Sequence, residues 1–185
     1  MGDTLRTFLC QGWRRDSFSN YNIHFKQDGT GSLFGVSDSD MHAGIYAVIE
    51  WEATDPSVLK QIVGAKPYGD NTQLLSEFEL KITIKKRASR EGLGKAYVHA
   101  GRLKEEAFLP KKYMVRLEKG KFTPPQDKDP DGRVMWRSMS PYNYHLVFDK
   151  SPYPPREHWK DGTVWDAVMG AQECKEFHGG SVKRK

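Results

Sequence analysis

Polar side chains set inside otherwise apolar runs are the residues of this sequence best placed to do chemistry. Tyr46, Glu50 and Trp51 share the run 44–52, Arg116 interrupts 113–118, and Tyr144 and His145 fall within 142–148. A mostly apolar cavity with a few convergent polar groups is the usual design of a small-molecule site. In such a cavity Arg116 or Tyr144 would donate to a substrate carbonyl or carboxylate, and Glu50 or His145 would act as base if a proton moves. Trp13, Trp51 and Trp136 would set the shape of the walls. A plainer reading stands beside this one: Glu50 and Arg116 as outward charges, and the aromatics as core.

Recognised catalytic and metal motifs are incomplete. Asp127, Asp129, Asp131 and Gly132 open like a calcium-binding EF-hand loop, but the twelfth position, where the bidentate glutamate belongs, is Ser138. An acidic surface turn is expected there instead. The run Gly92-Leu93-Gly94-Lys95 has Ser89 and Ala96 where a phosphate loop needs Gly and Ser or Thr, so it predicts a turn. His24, His42, His99, His145, His158 and His178 lack the spacing of metal ligands on one helix or strand. Cys10 and Cys174 sit at opposite ends of the sequence, with neither a zinc pattern nor a disulfide framework. No metal and no cofactor are expected.

The elements that must position these residues read as strands. Phe78, Leu80, Ile82 and Ile84 alternate with Glu77, Glu79, Lys81, Thr83 and Lys85, and Tyr113, Val115 and Leu117 repeat the scheme. Asp28-Gly29 between the runs 21–25 and 33–36 is a hairpin signal. Apolar residues on both faces of 44–52 suggest a central strand, and 142–148 is taken to close the series. Asp55-Pro56 predicts a helix ending at Gly64, with Leu59, Ile62 and Val63 buried. One helical turn is expected at 154–159 and an amphipathic helix over 163–177. The expected fold is mainly β: one antiparallel barrel over residues 1–178 with a few short helices, followed by a disordered basic tail, 179–185.

Composition agrees with a single folded domain. The 185 residues include five Trp, eight Tyr and nine Phe, ample material for a core of their own. No stretch approaches a membrane span or a signal-peptide core, and no Asn heads a glycosylation sequon, so a cytoplasmic location without membrane attachment is expected. The net charge of +5 raises the question of nucleic acid. Its clusters, 85–87 with Arg90, 111–112 and 183–185, are short and interleaved with acids, which predicts a solvated surface rather than a nucleic-acid face.

The order of strands, with Gly12-Trp13 near the start, resembles the lipocalin-like or calycin class of small barrels over about residues 8–150. The run Tyr144–Phe148, Asp149 and Ser151-Pro152-Tyr153-Pro154-Pro155-Arg156 also resembles small proteins of fungal natural-product pathways, some of which are cofactor-free cyclases. That resemblance implies a hydrophobic small-molecule substrate, held in a reactive shape, and pericyclase-type (Diels-Alder) chemistry that needs no signature motif. A carrier using the same cavity is one alternative. A nucleic-acid or protein-interaction module, which would have a filled barrel, is the other.

Overall fold

In the computed structural model the described residues are 3–18, 20–36, 44–63, 72–86, 100–161 and 170–181. In chain order the elements are β1 (Asp3–Thr4), α1 (Leu5–Leu9), β2 (Gly12–Arg14), β3 (Tyr21–Phe25), β4 (Thr30–Val36), β5 (Gly44–Ala53), β6 (Ile62–Val63), β7 (Gln73–Ile84), β8 (Lys111–Phe122), β9 (Tyr142–Phe148), α2 (Gly170–Glu173) and β10 (Glu176–Ser181). Strands β2, β3, β4, β5, β7, β8, β9 and β10 follow one another around a closed antiparallel barrel, and β10 completes the ring by pairing with β2. Closure leaves no unpaired sheet edge. Strands β1 and β6 form a separate two-stranded pair. Among the described residues no helix is long and apolar enough to cross a membrane.

The period-two pattern decides which face of each strand is inside. Ile45, Ala47, Ile49, Trp51 and Ala53 of β5, Phe78, Leu80, Ile82 and Ile84 of β7, and Tyr113, Val115 and Leu117 of β8 are all buried. Trp13, Ile23, Phe25, Ile49, Leu80, Val115, Leu117, Leu146 and Phe177 are each 0% exposed, so not even a water fits against them. The middle of the barrel is therefore packed with side chains, as in other small barrels. Leu5 and Leu9 of α1, also 0% exposed, plug the end near the β3–β4 hairpin, where Trp13 Nε1 donates to the Leu9 carbonyl at 2.9 Å. At the opposite end Tyr153 Oη donates to the carbonyls of Phe34 (2.5 Å) and Asn22 (3.2 Å). Trp159, bridged to Leu103, is buried in the same core.

The Asp28-Gly29 hairpin forms as its sequence predicts. The Asp28 carboxylate accepts from the Thr30 amide (2.9 Å) and hydroxyl (2.6 Å), and Gly29 takes φ +83°.

Three expectations are corrected. Residues 55–63 hold a single 3-10 turn, Val58–Lys60, instead of a helix, because Ile62 and Val63 leave it to pair with Thr4 and Asp3. So short a helix has little stability of its own, and β-branched residues gain more from a ladder. Of the helix expected over 163–177, the described part is only α2; Glu176 and Phe177 already belong to β10. Finally, residues 179–181 are not tail but the end of that strand, which, rather than β9, closes the barrel. Their glycines serve packing. A Cβ on Gly179 would stand 3.1 Å from the Trp13 ring, and Gly180, at φ +64°, would bring one 2.7 Å from the Tyr144 ring. The Gly92–Lys95 turn, His42, His99 and residues 182–185 lie outside the described residues.

Candidate interaction surface

The residues expected to share a cavity are spread over the barrel. Trp13 and Trp51 point inward and are core, with Trp51 Nε1 donating to the carbonyls of Thr30 (3.0 Å) and Lys26 (3.1 Å). Tyr46, Glu50, Arg116 and His145 lie on the outward register of their strands. Tyr144 shares the inward register but sits at the α1 end, its ring edge-on to Phe8 at 4.4 Å. Trp136 is 79% exposed. A register of two places Glu50 and Arg116 outside for the same reason that it places Ile49, Trp51, Val115 and Leu117 inside.

On the outer wall of β5, β7 and β8 lysines and glutamates neutralise one another. Lys85 pairs with Glu50 (2.9 Å), Lys81 with Glu52, and Lys112 with Glu79 (2.9 Å). An open cleft of about 310 Å³ runs along this wall, lined by Glu50, Trp51, Glu52, Lys81, Thr83 and Pro110.

A second outer cluster crosses β8, β9 and β10. His145 lies between Glu118, 3.2 Å from Nδ1, and Glu176, 3.4 Å from Nε2, and Arg116 reaches Glu118 at 3.7 Å. Its ring stacks at 4.7 Å on His178, the residue directly opposite in the ladder. Burial first, and His145 second, push His178 down to about 4 from the usual 6.5, although its Nδ1 donates to the Arg15 carbonyl at 3.0 Å. The unfolded chain therefore takes up this proton before the folded one does. The contribution of His178 to stability is complete above pH 6.5 and lost as pH falls to about 4. Urea midpoints measured across that window should decline in the wild type and decline less steeply in His178→Gln. Equal slopes would remove His178 as the cause.

Neither cysteine is set up as a nucleophile. Burial pushes the Cys174 thiol up to about 12 and also raises that of Cys10.

Asp127 is buried, at 0% exposure, in the segment 123–141 between β8 and β9. Its carboxylate accepts from the Ser17 amide (2.9 Å) and from the hydroxyls of Ser17 (2.6 Å), Ser138 (2.8 Å) and Ser140 (2.5 Å). Ser17 Oγ is also 3.0 Å from Tyr142 Oη and accepts from the Met139 amide at 2.6 Å. Burial raises the Asp127 pKa, but the Ser140, Ser17 and Ser138 donors outweigh it and hold the carboxyl below its ordinary range. The calcium-like spacing thus has another use: Asp127 and Ser138 tie the two ends of the loop to the β2–β3 connection. Asp129 caps the Arg133 amide at 2.8 Å, Lys128 bridges to Val134, and Gly132 makes the turn at φ +79°. Local sequence carried no sign of Ser17, because the pairing spans 110 positions.

What this anchored hairpin presents to solvent is apolar and cationic. Trp136 stands out with the Arg137 guanidinium 4.6 Å above its ring, and Val134 (43%), Met139 (38%) and Phe18 (50%) are exposed nearby. Arg14 Nη1 donates to the Met139 sulfur at 3.4 Å, which ties the β2 side to the same patch.

Fold and surface together define the class: a filled, closed eight-stranded antiparallel β-barrel with a pinned loop on its outside that exposes Trp136. Comparison with protein-family models, with curated proteins and with solved structures finds no match to the chain in any of the three.

Proposed function

We propose that the chain is a protein-interaction module that binds its partner through the Trp136 loop. One observation carries this reading: the most exposed large apolar side chain among the described residues is mounted on a loop locked by a buried carboxylate. Loops left to solvent alone need no such anchor, whereas a preordered contact surface loses less entropy on binding. Trp, Met and Arg are also the residue types enriched at binding hot spots and interface cores. The fully buried side chains in the middle of the barrel support the same reading, since among the described residues they leave no water-accessible surface there.

A second reading keeps the barrel as a small-molecule protein, either a cofactor-free isomerase or cyclase or a carrier. The outer-wall cleft touching Glu50 and Trp51 is what supports it. One experiment separates the two readings. Wild-type protein and Trp136→Ala are incubated with extract of the source cells, then analysed by native mass spectrometry for bound proteins and for retained or isomerised small molecules. The interaction reading expects a protein partner lost in Trp136→Ala. The small-molecule reading expects a metabolite whose retention or conversion ignores Trp136 but falls in Glu50→Ala, which alters the lining of that cleft. A carrier would return that metabolite unchanged.

A further inference from the structure

Charge is unevenly compensated over this barrel. On the β5–β7–β8 wall Lys81, Lys85 and Lys112 each have a glutamate partner. On the segment that carries Trp136, by contrast, Lys128, Arg133 and Arg137 form no ion pair among the described residues, nor does Arg14, which reaches that segment by spending a donor on the neutral thioether of Met139. Three acids share this segment: Asp127 is buried and committed to Ser17, Ser138 and Ser140, Asp129 is half-buried and committed to the Arg133 amide, and Asp131 is left exposed at the turn. Uncompensated cations beside exposed apolar side chains favour a ligand that is both anionic and apolar.

Resting on the interaction reading above, we propose that the Trp136 surface docks an acidic segment of a partner protein in which carboxylates alternate with large apolar side chains. The apolar half of that chemistry suits Val134, Met139 and Phe18, and the carboxylates suit Arg14, Arg133 and Arg137. Single-stranded nucleic acid fits less well. Successive bases need a row of open aromatic faces, but Arg137 already covers one face of Trp136, and neither Val134 nor Met139 can stack. An anionic membrane carries the same charge, and the vesicle arm of the test separates it from an acidic peptide.

Fluorescence anisotropy with four defined probes tests the assignment: a synthetic peptide alternating Glu with Leu and Phe, the same peptide with Lys for Glu, single-stranded oligothymidine, and phosphatidylcholine–phosphatidylserine vesicles. The acidic peptide should bind saturably and weaken as salt shortens the Debye length below about 10 Å. Its affinity should fall at least about tenfold in Trp136→Ala, as for a hot-spot residue. Arg137→Glu should weaken it further, and the Lys peptide should not bind. Equal binding of the two peptides, or no effect of Trp136→Ala, overturns the proposal. Trp136-dependent binding of oligothymidine or vesicles in place of the acidic peptide overturns the partner class but leaves the surface standing. No Trp136-dependent binding of any probe overturns both. Unchanged thermal melting of Trp136→Ala, expected for a side chain so exposed, shows that a loss of binding is not a loss of fold.

Discussion

Asp127→Ala should destabilise the protein by roughly 3 kcal/mol or more, the largest effect expected of any polar substitution outside the barrel core. Removing the carboxylate strands the Ser17 amide and the Ser17, Ser138 and Ser140 hydroxyls in a site without solvent. Each buried donor left unpaired costs about 1–3 kcal/mol, although the hydroxyls can partly re-pair among themselves. Asp127→Asn keeps one acceptor oxygen and should lose less. Urea unfolding gives the magnitude, and amide hydrogen exchange over residues 128–139 gives the location, with protection collapsing there first. A loss within about 0.5 kcal/mol of zero, typical of an ordinary surface site, would reject the anchor. The acid limb follows from the same contacts. The folded carboxyl titrates below the ordinary 3.8, so its contribution is present above that pH and lost as pH falls through the folded value. Asp127→Asn should therefore flatten the stability profile below pH about 4.

Trp13→Ala should cost about 3–5 kcal/mol and turn a filled barrel into a hollow one. The ring is 0% exposed, packs on the Gly179 backbone and holds α1 through its bond to the Leu9 carbonyl. An apolar void of that kind stays dry and admits benzene or xenon. The variant should thus be stabilised by small apolar solutes that leave the wild type unaffected, as thermal melting with and without benzene would show. A wild type stabilised equally would mean that the interior already holds an accessible cavity, and would move the small-molecule reading from the outer cleft to the lumen. In the Trp13→Ala background Gly179→Ala should become harmless, because the ring it would press against is gone.

Both effects lie in places that sequence alone illuminated unequally. Strands β3, β7, β8 and β9 are legible because their apolar residues repeat every second position, a local property of a half-buried strand, and β4 and β5 because their runs are apolar and flanked by turn residues. The Asp28-Gly29 turn was legible for a similar reason, since its chemistry is complete within a few residues. Strand β10 was not. Phe177 reads as the end of an amphipathic helix and Gly179-Gly180 as the start of a tail, and only the ring of Trp13, from the other end of the chain, explains why glycine is needed at 179.

The site shows the same division. Polar residues inside apolar strands were visible from the start, but period two forces Glu50, Arg116 and His145 outward while their neighbours fill the interior. No local pattern could have said that the barrel has no space in its middle, because that depends on how side chains from eight strands add up across it. In sequence Asp127 opens an incomplete metal loop and Ser138 is the position that breaks it. Their role as an anchor appears only when Ser17, 110 positions away, closes on them. What the sequence determined by itself is the class of element and which residues alternate along it, because those follow from short-range geometry. Tertiary structure alone decided that the interior is solid, that the last strand closes the ring and that Trp136 faces solvent on a pinned loop, because each depends on groups far apart in the chain meeting in one volume.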